Sequence, residues 1–545
     1  MTDVDNWPPN PTIGLMPAEA ARRWPDREAL VFEGRRWTYR ELDDEIARAA
    51  RALIGIGVGR GDHVALWLSS KPQFIFLFFA IIRIGAVAVP MSTRYRRIEV
   101  EHVLRKLDCA VLILTPQVGP ADLAALAREV LGLDATPAAG GKVAVADFPA
   151  LRRIVLAEPG DMPGALSWDD FLGHADAAPE GEVARRAQAV SPDDMALICQ
   201  TSGSTGLPKG AMLNHRVIRL GLDRTAAQGF AESDVHIHFL PLFHSFGLLV
   251  LTFHSILTGG RIVLLDRFDA AEVVRLVDRE KATTLHGFDT HYRDILAFGD
   301  RHPEYDLGSL RFALFPAGPE SLSGIVEEVN RRLCPTGSGY GLTETSTTVT
   351  ATPGGATLDQ RARASGMPMP GVELRILDPD TGRDLPPDAP GEILVRYYGL
   401  MTGYYKQPGA TAEALDAAGW LHTGDMGLLR PDGHLRYLGR YKDLIKVGGE
   451  SVSPAEIEHL LLRMEGVAEV AVVAAPDPRL REVPAAFVVP GPGATVTLEA
   501  VERFCTGQIA SYKVPRRVIS IDALPRLPDG KVFRRALRER LAETA

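Results

Sequence analysis

Cysteine is scarce in this chain: Cys109, Cys199, Cys334 and Cys505 are the only four in 545 residues, and none forms a C-x-x-C pair. That leaves no basis for a disulfide framework or a cysteine zinc site, and it fits a reducing compartment, so a cytoplasmic location is expected. An excess of positive charge is also lacking. Sixty Lys and Arg stand against 69 Asp and Glu, a formal net charge of -9, which argues against a general nucleic-acid surface. The N-terminal MTDVDNWPPNP has no basic segment leading into an apolar one, so it does not read as a secretory signal. No apolar run reaches the roughly 20 residues that a membrane-spanning helix requires. The nearest, FIFLFFAIIRIGAVAVP from Phe74 to Pro90, is interrupted by Arg83 and Gly85. It reads as a buried helix running into a strand, with membrane attachment the alternative.

What the chain does have is an ordinary globular make-up, with 46% hydrophobic and 24% charged residues, at a length that implies more than one domain. Helical and strand-like segments alternate. ELDDEIARAARALIGIG (Glu41 to Gly57) has helical periodicity and DHVALWL (Asp62 to Leu68) reads as a strand. The same grammar recurs at CAVLILTP, GRIVLLD and SLRFALFPAG, which predicts an α/β fold with mostly parallel sheets covered by helices. The alanine-rich stretches 120–145 and 176–193 are expected to be surface connections. Turn residues crowd 378–392, predicting hairpins and a small β-rich unit, and a last α/β segment follows Gly439.

Five segments bear on chemistry. TSGSTGLPKG (Thr201 to Gly210) has the composition of a phosphate-holding loop, but Pro208 and Gly210 stand where a P-loop needs glycine and the Mg²⁺-binding hydroxyl. GYGLTETS (Gly339 to Ser346) reads, taken alone, as a strand end followed by an N-capped helix. GWLHTGDMG (Gly419 to Gly427) contains Thr423-Gly-Asp425, which taken alone is an Asx turn. In GRYKDLIKVGGESVSPAEIE (Gly439 to Glu458), Ser453-Pro-Ala-Glu456 predicts a capping box that opens an amphipathic helix. PRLPDGKVFRR (Pro525 to Arg535) reads as a basic turn before a terminal helix.

In this order and over these distances the segments resemble the acyl-adenylate-forming enzymes: acyl-CoA synthetases, luciferases and the adenylation domains of peptide synthetases. The resemblance extends over essentially the whole chain and implies a large N-terminal region of layered α/β sheets plus a small β-rich unit, residues 1–441. A small mobile α/β C-terminal domain, 442–545, would hinge at Lys442. The reaction implied is attack of a carboxylate on the α-phosphate of ATP, release of pyrophosphate, and transfer of the acyl group to a thiol, commonly that of coenzyme A. Thr201, Ser202, Gly203, Ser204, Thr205, Gly206 and Lys209 would then hold the β- and γ-phosphates. Gly318, at the end of SLRFALFPAG, would belong to the nucleotide site. Tyr340 would stack on adenine, Thr343 contact the α-phosphate, and Glu344 hold Mg²⁺, a carboxylate suited to a hard cation. Asp425 would accept from the ribose hydroxyls, with Arg440 assisting. Lys531 matches the adenylation lysine. Leu527 and Asp529 depart from the family's commoner threonine and small residue, while Gly530 and Arg535 keep its pattern.

Gly448 and Gly449 resemble the form in CoA ligases, where they leave room for the pantetheine arm. Lys446 stands where luciferase-like oxygenases and many plain ligases carry lysine. Transfer to a carrier protein is the alternative, and a non-catalytic nucleotide-binding protein of the same fold is a second. PLFHSFGLL (Pro241 to Leu249) resembles the acyl-pocket motif, with His244 lining the site. Histidine in place of the aspartate that holds an ammonium disfavours an amino acid and favours a fatty, aryl or alicyclic acid. Asp289, His291 and Arg293 either read a polar group on that acid or form a structural network at a helix start. The expected partners are small molecules (the acid, ATP and CoA), and the resemblance is compatible with a homodimer.

Overall fold

Thr38 opens a helix by a local exchange of hydrogen bonds. Its hydroxyl accepts from the Glu41 N–H while the Glu41 carboxylate accepts from the Thr38 N–H at 2.7 Å, so two orphan donors are satisfied and Tyr39–Gly55 follows. The computed structural model describes residues 7–8, 11–133, 142–201, 208–315, 317–319, 322–447, 450–506, 508–527 and 532–543. The apolar run after Pro72 forms the helix Pro72–Arg83 and then the strand Val87–Pro90, as the sequence predicts. Every residue from Phe74 to Ile82 is at most 5% exposed. The charge that ends the run is resolved internally, because Arg83 pairs with Asp43 and donates to the Gly14 carbonyl. Among the described residues no helix is long and apolar enough to cross a membrane.

Two seven-stranded sheets carry the large N-terminal region. One runs Thr336–Gly337, Phe312–Leu314, Thr284–His286, Val235–His238, Arg261–Leu264, Glu28–Phe32 and Arg35–Thr38, parallel except at its last pair. The other runs Gly403–Tyr404, Lys209–Asn214, Met195–Thr201, Val87–Pro90, His63–Trp67, Cys109–Leu114 and Arg153–Leu156, antiparallel only in its first two pairs. The expected β-rich unit is a four-stranded antiparallel sheet of Glu373–Leu377, Gly391–Arg396, Leu421–Leu429 and Leu435–Arg440. After the short turn Tyr441–Asp443 comes a five-stranded sheet built on Val467–Asp477 and Arg481–Pro490, with its own apolar core around Val472, Phe487 and Leu537.

Three expectations fail, each for a local reason. The alanine-rich stretches are not mere connections. Leu123–Leu131 is a helix capped by Asp122 that buries Leu123, Ala124, Ala127 and Leu131, and Glu182–Gln188 is a second. Ser453 does open the helix Pro454–Leu461, but it makes no side-chain cap: Glu456 bonds Lys513 at 2.6 and 2.8 Å instead. GYGLTETS leads into no helix. It forms the antiparallel pair Gly341–Leu342 and Thr347–Thr348, closed by a turn over 343–346.

Candidate active site

The phosphate-loop segment joins two antiparallel strands, and Thr201 faces Lys209 across them. Ser202, Gly203, Ser204, Thr205 and Gly206 lie outside the described residues, as do Gly448, Gly449 and Lys531. Lys209 points over the ring of Tyr404, with its ammonium 4.9 Å from the centroid. The contact follows from register, since Ala211 pairs with Tyr404 and Lys209 is the diagonal neighbour on the same strand face. The Tyr404 hydroxyl donates to Glu344 Oε1 at 2.8 Å, and the Met401 N–H donates to the Glu344 carbonyl at 2.8 Å. Lys209 and Glu344, 135 residues apart in sequence, are thus brought together by a tyrosine in GYYKQP that composition alone does not single out. Burial, together with the Glu344 charge, pushes the Tyr404 hydroxyl pKa far up, so it stays a donor.

The turn that carries Thr343 and Glu344 is tightly made. Ser346 and Thr347 have φ of +50° and +101°, a region that L residues avoid, and Thr347 is β-branched. The turn is held from outside: the Tyr397 hydroxyl donates to the Thr345 carbonyl at 2.6 Å and the Ser346 hydroxyl to the Gly399 carbonyl at 2.6 Å. Gly341 is required by close approach, because a Cβ there would lie 1.9 Å from the Thr347 carbonyl oxygen. Gly341→Ala is therefore expected to lower the melting temperature, at a cost of about 1–3 kcal/mol, and to weaken a nucleotide held by Tyr340 and Glu344 by about tenfold, roughly 1.4 kcal/mol. Unchanged thermal unfolding and an unchanged calorimetric affinity for α,β-methylene-ATP would contradict this.

Asp425 sits on the strand Leu421–Leu429 beside a register shift, not in a free-standing Asx turn, and the Thr423 hydroxyl accepts from its N–H at 3.1 Å. Asp425 is 1% exposed. The Tyr340 hydroxyl donates to its Oδ2 at 2.8 Å, and Arg440 Nε lies 3.1 Å from Oδ1, directly across the strand pair. Burial works against the Arg440 charge, but Asp425 and then Tyr437 and Glu344 outweigh it and raise the pKa. Tyr340 packs on Tyr437 with ring centroids 5.8 Å apart. Gly318, at φ +132°, lies against the Tyr437 backbone, and a Cβ there would meet Ser365 Oγ at 2.4 Å. Tyr340, Glu344, Tyr404, Tyr437, Lys209, Asp425 and Arg440 form one constellation, in which Tyr404 and Tyr437 are the members that the sequence does not single out.

His244 is half-buried, its Nδ1 accepting from the Phe246 N–H at 3.3 Å, at the start of a π-helix, Phe246–Thr252. Such helices recur at functional sites. Aromatic side chains gather beyond it. Phe246 packs on Phe288 at 6.0 Å, and the His291 ring lies 4.5 Å from Phe268 and 5.0 Å from Phe239. His291 starts the helix Asp289–Arg301, its Nδ1 accepting from the Phe288 N–H. Burial lowers its pKa to about 4 against the opposing pull of Asp289, so it is neutral at pH 7. Arg293 is exposed. The positive charge of Arg526, from the C-terminal part of the chain, also reaches His291. Arg526 bridges to Val532 and pairs with Glu469. A separate cavity of about 430 Å³, lined by Trp37, Lys71, Glu158 and Trp168 among others, shares none of these residues.

The profile described as AMP-binding enzyme matches residues 17–405, and that of the AMP-binding enzyme C-terminal domain matches 456–531. A 3-[(3aS,4S,7aS)-7a-methyl-1,5-dioxo-octahydro-1H-inden-4-yl]propanoyl:CoA ligase of Rhodococcus jostii is 36% identical over 530 residues, 95% of this chain and 97% of the relative. The mitochondrial medium-chain acyl-CoA ligase of Mus musculus is 31% identical over 548 residues, 98% of this chain and 88% of the relative. Among solved structures, an anthranilate CoA ligase in complex with anthranoyl-AMP superposes with a TM-score of 0.85 at 26% identity, covering 99% of both chains.

Proposed function

The chain belongs to the AMP-binding, adenylate-forming enzyme family, and from that membership we infer how its residues divide the work of the two half-reactions. It is an AMP-forming acyl-CoA ligase for a fatty, aryl or alicyclic acid. The observation that carries the residue assignment is the convergence of Lys209 and Glu344 on Tyr404, beside the Tyr340–Asp425–Arg440 group.

In the first half-reaction a carboxylate oxygen bonds to the α-phosphorus of ATP and the bond to the pyrophosphate oxygen breaks. Two anions meet, so positive charge and donors must be fixed in advance. Lys209 supplies charge where the loop 202–207 would hold the β- and γ-phosphates. Thr343 stands beside Glu344 to meet the α-phosphate. Tyr340 and Tyr437 offer adenine a ring surface, and Asp425, a carboxylate with about four acceptor sites, retains capacity for ribose hydroxyls beyond Tyr340 and Arg440. Glu344 has the chemistry for Mg²⁺. Among the described residues no three-ligand cluster of His, Cys, Asp or Glu exists, which suits a cation that binds through one or two carboxylates, phosphates and water. When bound, that ion would neutralise phosphate charge. His244, Phe246, Phe288 and neutral His291 present an aromatic wall to the acid. Asp289 and Arg293 we assign to the helix start, consistent with the cap made by His291 and the exposure of Arg293.

In the second half-reaction the CoA sulfur bonds to the acyl carbonyl, its proton is lost, and AMP leaves. Lys531 and the Gly448–Gly449 pair lie on one small domain yet serve different steps, so that domain, 442–545, must turn between them about Lys442. The short turn Tyr441–Asp443 between two sheets supports that place for a hinge. Gly449→Leu is expected to leave carboxylate-dependent pyrophosphate exchange within about twofold, since no first-step contact is removed, and to block CoA consumption by filling the pantetheine path. Normal thioester release from this variant would rule out entry there. The four cysteines, free and buried, support a cytoplasmic location.

A further inference from the structure

Arg224 carries a guanidinium into the interior. It is 1% exposed on the helix Val217–Gln228, and among the described residues no carboxylate pairs with it. Burial lowers its pKa to about 9, which leaves it charged at neutral pH. A buried charge without a counterion is costly unless its donors are met. Here four of its five N–H donors have neutral acceptors. Nη1 donates to Thr347 Oγ1 at 2.7 Å and Thr348 Oγ1 at 3.3 Å, Nη2 to the Leu249 carbonyl at 2.8 Å, and Nε to His254 Nε2 at 3.0 Å. Burial and the Arg224 charge hold His254 neutral, so with Nε2 accepting, its proton resides on Nδ1.

Three of these acceptors belong to two different parts of the site. Leu249 lies in the π-helix that follows His244 on the acid side. Thr347 and Thr348 form the return strand of the turn that carries Glu344, and Thr347 is the residue at φ +101°. A conformation of that kind persists only where its surroundings over-determine it. Arginine suits the task because its planar fork has five donors. The three donors of a lysine ammonium, radiating from one atom, are too few for all four acceptors.

We propose that Arg224 is a positioning residue that locks the π-helix of the acid pocket to the Glu344 turn, so that occupancy of the nucleotide site is transmitted through it to the acid side. The proposal rests on the site assignment above, and its test separates the two. Backbone hydrogen exchange is followed by mass spectrometry in the parent protein, Arg224→Met and Thr347→Val, with and without saturating α,β-methylene-ATP. In the parent, the nucleotide slows exchange in peptides containing Tyr340 and Asp425 and also, by about fivefold, in 246–252, a typical coupling between sites. Arg224→Met keeps the first protection and loses the second, and Arg224→Lys does not restore it. Thr347→Val, which removes one acceptor at almost constant volume, weakens the same transmission and decides the matter if Arg224→Met fails to fold. Protection of 246–252 that survives in a folded Arg224→Met, or in Thr347→Val when the former does not fold, overturns the proposal, as does a parent protein protected at Asp425 but not at 246–252. Absence of protection at Tyr340 and Asp425 in the parent removes the site assignment and this proposal with it.

Discussion

Lys531→Ala is expected to lower adenylate formation by about 100-fold to 1000-fold, the usual effect of deleting one aimed donor from a preorganised anionic site. The same variant should retain most of its thioester synthesis when acyl-adenylate is supplied. The asymmetry follows from charge. In the first step the carboxylate and the triphosphate are both anionic and a lysine between them offsets their repulsion, whereas in the second a thiol attacks an acyl carbonyl after pyrophosphate has gone. Lys531 itself lies outside the described residues; of the residues that flank it, Arg526 bridges to Val532, and the Arg526 charge reaches His291. Loss of both half-reactions to the same extent would sink the assignment. Acetylation of Lys531 removes the same charge and should reproduce the effect.

Glu344→Gln should cost about 100-fold or more in pyrophosphate exchange while leaving the melting temperature nearly unchanged. Glutamine keeps an oxygen for the Tyr404 hydroxyl, so the bond now made at 2.8 Å survives and only the charge is lost. Tyr404→Phe is the complementary variant. It leaves the carboxylate, and the ring under Lys209, and removes only one hydrogen bond of about 1 kcal/mol, so a loss of less than about tenfold is expected. If Tyr404→Phe is the more damaging of the two, Glu344 acts through the fold and not through its charge.

The parts of this site that were legible in sequence are those where the chemistry dictates a residue type: Lys209, Glu344 and Asp425 carry charges in short, turn-rich segments. Tyr404, Tyr437 and Arg224 were not legible, because each matters through a contact set by strand register or helix packing across many residues. The Tyr404 contact spans 60 residues to Glu344, and the Arg224 contact 123 residues to Thr347. Local grammar failed where a distant group competed. Glu456 left the capping box for Lys513, 57 residues away, and the turn after Gly341 was pinned by Tyr397 rather than continued as a helix. The alanine-rich helices were missed because alanine serves both a buried face and a surface, so the periodicity of 120–145 is weak although Leu123 and Leu131 are buried. The parallel sheets were plain from the start, since strands buried on both faces, such as Cys109–Leu114, read as unbroken apolar runs.

Adenylation of a carboxylic acid at the Lys209–Glu344–Asp425 constellation comes first, and transfer to CoA follows. The most direct test is pyrophosphate–ATP exchange across a panel of fatty, aryl and alicyclic acids, with CoA added to the same vessel afterwards. Exchange should require an acid and Mg²⁺ but not CoA, and stoichiometric loss of free thiol and release of AMP should follow once CoA is present. Exchange with no acid in the panel, or exchange that CoA leaves without thioester, would contradict it.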